Sequence, residues 1–300
     1  MSDGKSATAP ADPREIEAAY AEMIYHYTSA AAMLSIVTKR IMWLTHVDFV
    51  NDQLEFRQPL ERFRKMVEHP DTLMRWAAGA PPKHWEAFNV QMRSSWLAYV
   101  ACFSKTGDSL SQFRLYGQPT GYSLGLRRSY LTRFAATIGT GGGAGIVECD
   151  YSEQRMYQWC DAWAREFFET AKKVDNDSLG PPELMQAIFA ATNLFDQRIM
   201  AQLRFKSSQF EVEQEARFYV LGKAGRLCWR TSRAGNYVIP YIELDLPNEA
   251  CRTKITPGPN HEEFLANQSA SQLIQAAKAH GTEWEFGLTG MANTGFRYGL

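Results

Sequence analysis

The chain contains no run of about 18 uncharged apolar residues, the length a helix needs to cross a bilayer. Its first fifteen residues, MSDGKSATAPADPRE, hold no apolar stretch, so they read as a flexible polar segment and not as a secretory signal. Net charge is nearly absent too: 32 Lys+Arg against 33 Asp+Glu leave −1. That argues against a broad electrostatic hold on nucleic acid and leaves room only for a local basic groove. The five cysteines (Cys102, Cys149, Cys160, Cys228, Cys251) are odd in number, widely spaced and never in a C-x-x-C pair. They therefore form no disulfide framework and read as thiols in a reducing compartment. No H-x-x-x-H pair occurs, so no zinc site is visible. The expectation is a cytoplasmic, metal-independent protein that is not a membrane protein.

What is present is globular. At 45% hydrophobic and 13% aromatic the chain is too apolar for disorder, and 300 residues can bury roughly three quarters of their unfolded surface. A short helix is expected over 15–21, followed by an aromatic strand, MIYHYT (Met23–Thr28). Ser29 then caps AAAMLSIVTKR, whose Met33, Ile36, Val37 and Arg40 keep a helical period. Strands are expected at IMWLTHV, WLAYVACFS, GYSLGLR, AGIVECDY, EARFYVLG, NYVIPYIELDL, CRTKITPGP and EWEFGLTG. Helical patterns fill about 55–96, 153–174, 183–205 and 261–280, and a short helix is expected over 109–117. The fold class expected is α+β, a mixed, largely antiparallel sheet carrying helical insertions at about 55–96 and 153–206. Residues 1–22 form a flexible segment with its short helix, and 23–300 form one domain.

Two glycine- and acid-rich signals have plain structural explanations. Gly139–Gly145 resembles a dinucleotide fingerprint, but it leads into a strand where such a loop must lead into a helix, so it is expected to be a surface loop. Asp48, Asn51, Asp52 and Glu55 offer oxygen ligands for Mg2+. They fit a capping box better, with Asp52 or Asn51 capping a helix and Glu55 reaching back.

Three signals carry chemistry. His26 and Thr28 share one face of the first strand by alternation and stand just before a helix. A strand histidine can simply be satisfied in the core; here the pair also suits a ribose or phosphate. Glu213, Glu215 and Arg217 alternate at the start of a strongly apolar strand. They are either a solvated edge or a partly buried anion beside a guanidinium, which would stay ionised. Finally, Ser104 ends a buried strand, and Tyr116 follows on a short helix, as a core residue or as a ring that stacks on a planar ligand.

The segments HYT, LTHVDFVNDQLE, CFSKTGDSLSQFRLYGQPTGYSLGL, FKSSQFEVEQEARFYV, NYVIPYIEL, ITPGP and TGMANTGFR resemble, in wording and order, the bacterial domain-of-unknown-function family 2971. The resemblance covers about residues 23 to 298. Its motif order is similar to that of the ADP-ribosyltransferase superfamily, which implies NAD as substrate and an ADP-ribosyltransferase-like sheet core. By that resemblance His26 and Thr28 hold the adenosine-side ribose and Tyr116 stacks on nicotinamide. Glu215 steadies the oxocarbenium-like transition state, Glu213 orients the acceptor, Ser104 supports the floor of the site, and Ser104 and Arg217 complete the NAD-binding set. Which glutamate is catalytic is left open, because a one-residue change of register turns the face over.

The implied activity is ADP-ribosyl transfer of toxin or defence type to a protein, nucleic-acid or small-molecule acceptor. Two alternatives stand beside it. One is a non-catalytic module that binds a nucleotide or ADP-ribose, and the other is a Mg2+-dependent hydrolase or nuclease built on Asp48, Asp52 and Glu55.

Overall fold

The computed structural model describes residues 22–50, 59, 61, 62, 65, 98–117, 121–139, 143–174, 199–222, 224–232, 235–259 and 262–288. In chain order its elements begin with β1 (Met23–Thr28), α1 (Ala30–Lys39), β2 (Ile41–His46) and β3 (Ala98–Ser104). Next come α2 (Leu110–Gln112), which runs into a π-type turn over Phe113–Gly117, then β4 (Tyr122–Arg127), α3 (Arg128–Thr137), β5 (Ala144–Glu148) and α4 (Glu153–Val174). A 3-10 turn over Ser208–Glu213 precedes β6 (Glu215–Leu221), β7 (Arg226–Thr231), β8 (Val238–Asp245), β9 (Arg252–Pro257), α5 (Glu263–Ala279) and β10 (Glu285–Leu288). The expected helix at 15–21, most of those at 55–96 and 183–205, and the Asp52–Glu55 cap lie outside the described residues. Among the described residues, no helix is long and apolar enough to cross a membrane.

The backbone groups into two compact units of interleaved segments. The first comprises residues 1–34, 105–133 and 248–300; the second comprises 35–104 and 134–247. In the first, the strand order is β10-β9-β4-β1, with β10 parallel to β9 and the other pairs antiparallel. In the second, the order β5-β6-β3-β2-β8-β7 is antiparallel throughout. The expected α+β class with a mixed, largely antiparallel arrangement of strands is therefore present.

Alternation explains the cores. In β2 the pattern places Met42, Leu44 and His46 inside while Trp43 is exposed. β3 and β6 are buried along almost their whole length, as the continuous apolar runs AYVACF and FYVL require. In the second unit Val47, Ala98, Val100, Ile199, Leu203 and Leu221 form one buried cluster, and Met156, Cys160, Ala201 and Phe205 form another. α4 supplies Met156, Cys160 and Trp163 at helical spacing.

Two elements differ from the sequence expectation. β7 was not anticipated, and its burial pattern shows why: RLCWRT is exposed at nearly every position, so it presents no apolar/polar alternation. α3 was also missed, although Tyr130, Leu131, Phe134 and Ala135 are buried at helical spacing. It starts directly from β4 without a capping residue, which removes the usual boundary signal.

Candidate functional site

In the first unit, β1 and the loop after β3 are tied by a phenol. The Tyr27 hydroxyl donates to the Thr106 carbonyl at 2.6 Å and accepts from the Ser109 amide at 2.9 Å. Burial raises its pKa far above the ordinary tyrosine value. Ser123, paired with Tyr27 across β1 and β4, donates to the Gly107 carbonyl at 2.5 Å. A side chain at Gly107 would collide with the Tyr25 ring, its Cβ falling 2.5 Å from Cε1, so only glycine lets the loop lie this close. Ser29 caps α1 as expected: its hydroxyl accepts from the Ala32 amide at 3.3 Å and its carbonyl accepts from Met33 at 2.9 Å.

Tyr116 packs on the cluster of Met23, Tyr25, Tyr27 and Phe113, where Phe113 meets Tyr27 edge-on at 4.8 Å. These β1 residues are the odd-numbered ones. Alternation therefore directs His26, which is half-buried, and Thr28, which is buried, to the opposite face of the strand. The structure thus brings Tyr116 onto β1, on the face of Tyr27 and away from that of His26.

In the second unit, the acidic signal closes into a buried ion network. Lys206 Nζ lies 2.6 Å from Glu213 Oε2 and 2.6 Å from Glu215 Oε2. Arg217 Nε donates to Glu215 Oε1 at 2.6 Å, and its NH1 donates to the Leu203 carbonyl at 2.9 Å. The side chains of Lys206, Glu213, Glu215 and Arg217 are 2–5% exposed. Backbone bonds hold the four in place. Cys149 N–H donates to the Glu215 carbonyl at 2.9 Å, and Asp150 pairs with Arg204 and Lys206 at 2.7 and 3.1 Å. The Tyr151 hydroxyl accepts from the Glu215 amide at 2.7 Å. Ser104, at the end of β3 opposite Glu215, donates to the Glu213 carbonyl at 2.7 Å.

Burial alone would raise Glu215, but the neighbouring charges of Arg217 and Lys206 outweigh it and hold the carboxyl at about 2. The same pairing raises Lys206 and Arg217 against the burial that would lower them. Desolvation, with a hydrogen bond to Glu215, pushes the thiol of half-buried Cys102 well above its ordinary value. The expectation that this carboxylate stays ionised beside an arginine agrees with the geometry, and the solvated-edge alternative does not.

Glu213 reaches the network by a different route from the expected strand alternation. It ends the 3-10 turn, Gln214 adopts a left-handed φ of 44°, and β6 begins only at Glu215. Lys206 was missed by sequence reasoning. Its signal was the lone lysine of FKSSQFEVEQEAR, seven residues before Glu213.

Glu213, Glu215, Arg217 and Ser104 are thus brought together in one unit, while His26, Thr28 and Tyr116 lie in the other. Asp48 sits in a short turn where its amide donates to His46 Nδ1 at 3.3 Å; Asp52 and Glu55 lie outside the described residues. Among the described residues no group of three or more His, Cys, Asp or Glu is arranged to hold a metal. The 139–145 segment leads into β5, a strand and not a helix, so it lacks the helix N-terminus that a dinucleotide loop requires. No family model, curated protein or solved structure matches the chain.

Proposed function

We propose that this protein is an NAD-dependent ADP-ribosyltransferase acting in the cytoplasm on a macromolecular or small-molecule acceptor. The observation that supports it is Glu215, an ionised carboxylate fixed at the start of β6 by two cations. Cleavage of the nicotinamide–ribose bond develops positive charge at the anomeric carbon. A preorganised anion that needs no reorganisation at that moment is the largest electrostatic help a protein can offer. The motif resemblance assigns the adenosine-side ribose to His26 and Thr28, the nicotinamide ring to Tyr116 and the acceptor to Glu213.

One observation favours a second reading, a non-catalytic module for a nucleotide or ADP-ribose. Both oxygens of Glu215 already accept from Lys206 and Arg217, and a carboxylate so engaged has little capacity left for a substrate hydroxyl. Nicotinamide release from NAD, measured beside calorimetric titration with ADP-ribose, separates the two. The transferase reading expects turnover that Glu215→Gln abolishes while ADP-ribose binding persists. Binding without turnover in the wild type selects the module, and absence of both defeats either reading.

A further inference from the structure

β7 ends the strand order of the second unit and, among the described residues, pairs with β8 alone. Hydrogen bonding fixes which way its backbone points. The Ser232 amide donates to the Tyr237 carbonyl at 2.8 Å, and along an antiparallel pair hydrogen-bonded positions alternate with non-bonded ones. Counting back from Ser232, the residues bonded to β8 are Arg230, Cys228 and Arg226. Thr231, Trp229 and Leu227 therefore direct their N–H and C=O groups outward. Pro240 agrees with this phase: it stands opposite Trp229 and has no N–H to give.

Exposed edges are usually blunted by charge, proline or a bulge. β7 has no proline, its register against β8 is continuous, and its arginines are drawn back over the sheet. Arg226 forms an ion pair with Glu243 of β8, and Arg230 reaches past β8 to donate to Thr45 Oγ1 of β2 at 3.3 Å. Leu227 and Trp229 share the face on which Met42, Leu44 and Ile242 are buried, yet they are 51% and 62% exposed. The apolar side of the sheet thus runs on to its rim uncovered, and Val238, opposite Thr231, is exposed beside it.

We propose that the outer edge of β7 pairs antiparallel with β7 of a second copy of this chain, across a two-fold axis at Trp229. Charge selects the register. An axis at Cys228 sets Arg226 opposite Arg230, and an axis at Arg230 sets that arginine opposite its own copy; like charges directly opposite are unfavourable. Axes nearer either end leave most of the strand unpaired. An axis at Trp229 sets Leu227 opposite Thr231, Cys228 opposite Arg230 and the two Trp229 side chains together. There the outward groups of Leu227, Trp229 and Thr231 satisfy one another, and the apolar rim of each copy covers the other's. The pairing uses neither Glu215 nor NAD, so it stands apart from the transferase reading.

Sedimentation equilibrium of the full chain tests it. The wild type is a dimer in reversible equilibrium with its monomer. Trp229→Lys, which sets two ammonium groups at the axis, raises the dissociation constant about a hundredfold or more, the scale of losing a central aromatic anchor from both halves of an interface. Phe264→Lys, the same exchange at an exposed ring of α5, leaves the equilibrium unchanged, and far-ultraviolet dichroism verifies that both variants fold. Trp229→Cys reads the register directly: hydrogen-bonded partners stand about 5.5 Å apart, within disulfide reach, so mild oxidation links two copies through residue 229. A monomer at every concentration overturns the proposal, whether or not it takes up an added extended peptide. So does a dimer that Trp229→Lys leaves intact, one that Phe264→Lys weakens equally, or one in which Trp229→Cys stays unlinked.

Discussion

Arg217 and Glu215, two residues apart on β6, share a face of the strand and meet through Nε and Oε1 at 2.6 Å. Lys206 meets the second oxygen of Glu215 and the Glu213 carboxylate, each at 2.6 Å. Lys206, from the segment before the 3-10 turn, sets two cations against the two anions, and its amide donates to the Asp150 carbonyl at 3.1 Å, which fixes the backbone from which it reaches. The network therefore ties Lys206 and the 3-10 turn over Ser208–Glu213 to the start of β6.

Removing one member should be far worse than removing its charge from a surface. Lys206→Met takes away the ammonium that bridges two buried carboxylates, and breaking such a group costs about 3–5 kcal/mol. Urea unfolding should show that loss as a lowered midpoint. A change under 1 kcal/mol would mean that water reaches the carboxylates and that the network is not closed.

The acid side of the stability profile follows from the same geometry. Glu215 has an ordinary value of 4.5 and is held at about 2 in the folded protein. The folded state therefore binds this proton more weakly than the unfolded one. The contribution is complete above about pH 4.5 and fades as pH falls toward 2. Its size is of the order of 3 kcal/mol. Chemical denaturation at intervals from pH 6 to 2.5 should show a steep decline in the wild type and a shallower one in Glu215→Gln. Parallel profiles would assign the acid sensitivity to other groups.

Much of this architecture was legible in the amino-acid order, and the failures have physical causes. The β3 and β6 runs announce buried strands because a two-sided buried strand must be continuously apolar. The ionised Glu215–Arg217 pair could be anticipated because charge beside charge in an apolar flank must be neutralised. Lys206 could not: its partners lie seven and nine residues away across a turn that ends in a left-handed Gln214, and no sequence period links them. Likewise, alternation correctly joined His26 to Thr28, yet nothing in the spacing revealed that Tyr116 would pack with Tyr25 and Tyr27 on the other face.

The Tyr27 hydroxyl ties that face to the loop after β3. Tyr27→Phe removes the donor to Thr106 and the acceptor of Ser109, leaving a carbonyl and an amide of the 105–109 loop to find other partners. The expected loss is about 1–3 kcal/mol, accompanied by faster hydrogen exchange at the Ser109 amide. Unchanged exchange at Ser109 would show that the loop is held by Ser123 and its own turn.

A close backbone approach in the first unit sets a sharper test. A Cβ on Gly121 would lie 1.8 Å from the Gly117 carbonyl oxygen and 2.4 Å from that of Thr28. Both obstacles are main chain, so neither can rotate aside as a side-chain tip would. The Gly121 carbonyl also accepts from the Gly258 amide at 2.7 Å, which pins the site from a third direction. Gly121→Ala must therefore push β1 and the π-type turn apart, at about 3 kcal/mol or more. Gly139→Ala provides the contrast: nothing stands within 4 Å of its added carbon, and a smaller unfolded-state entropy should leave it neutral or more stable by up to about 1 kcal/mol. Thermal unfolding of the two variants side by side, with equal midpoints for both, would mean that the end of β1 and the Tyr116 turn are not packed as closely as described.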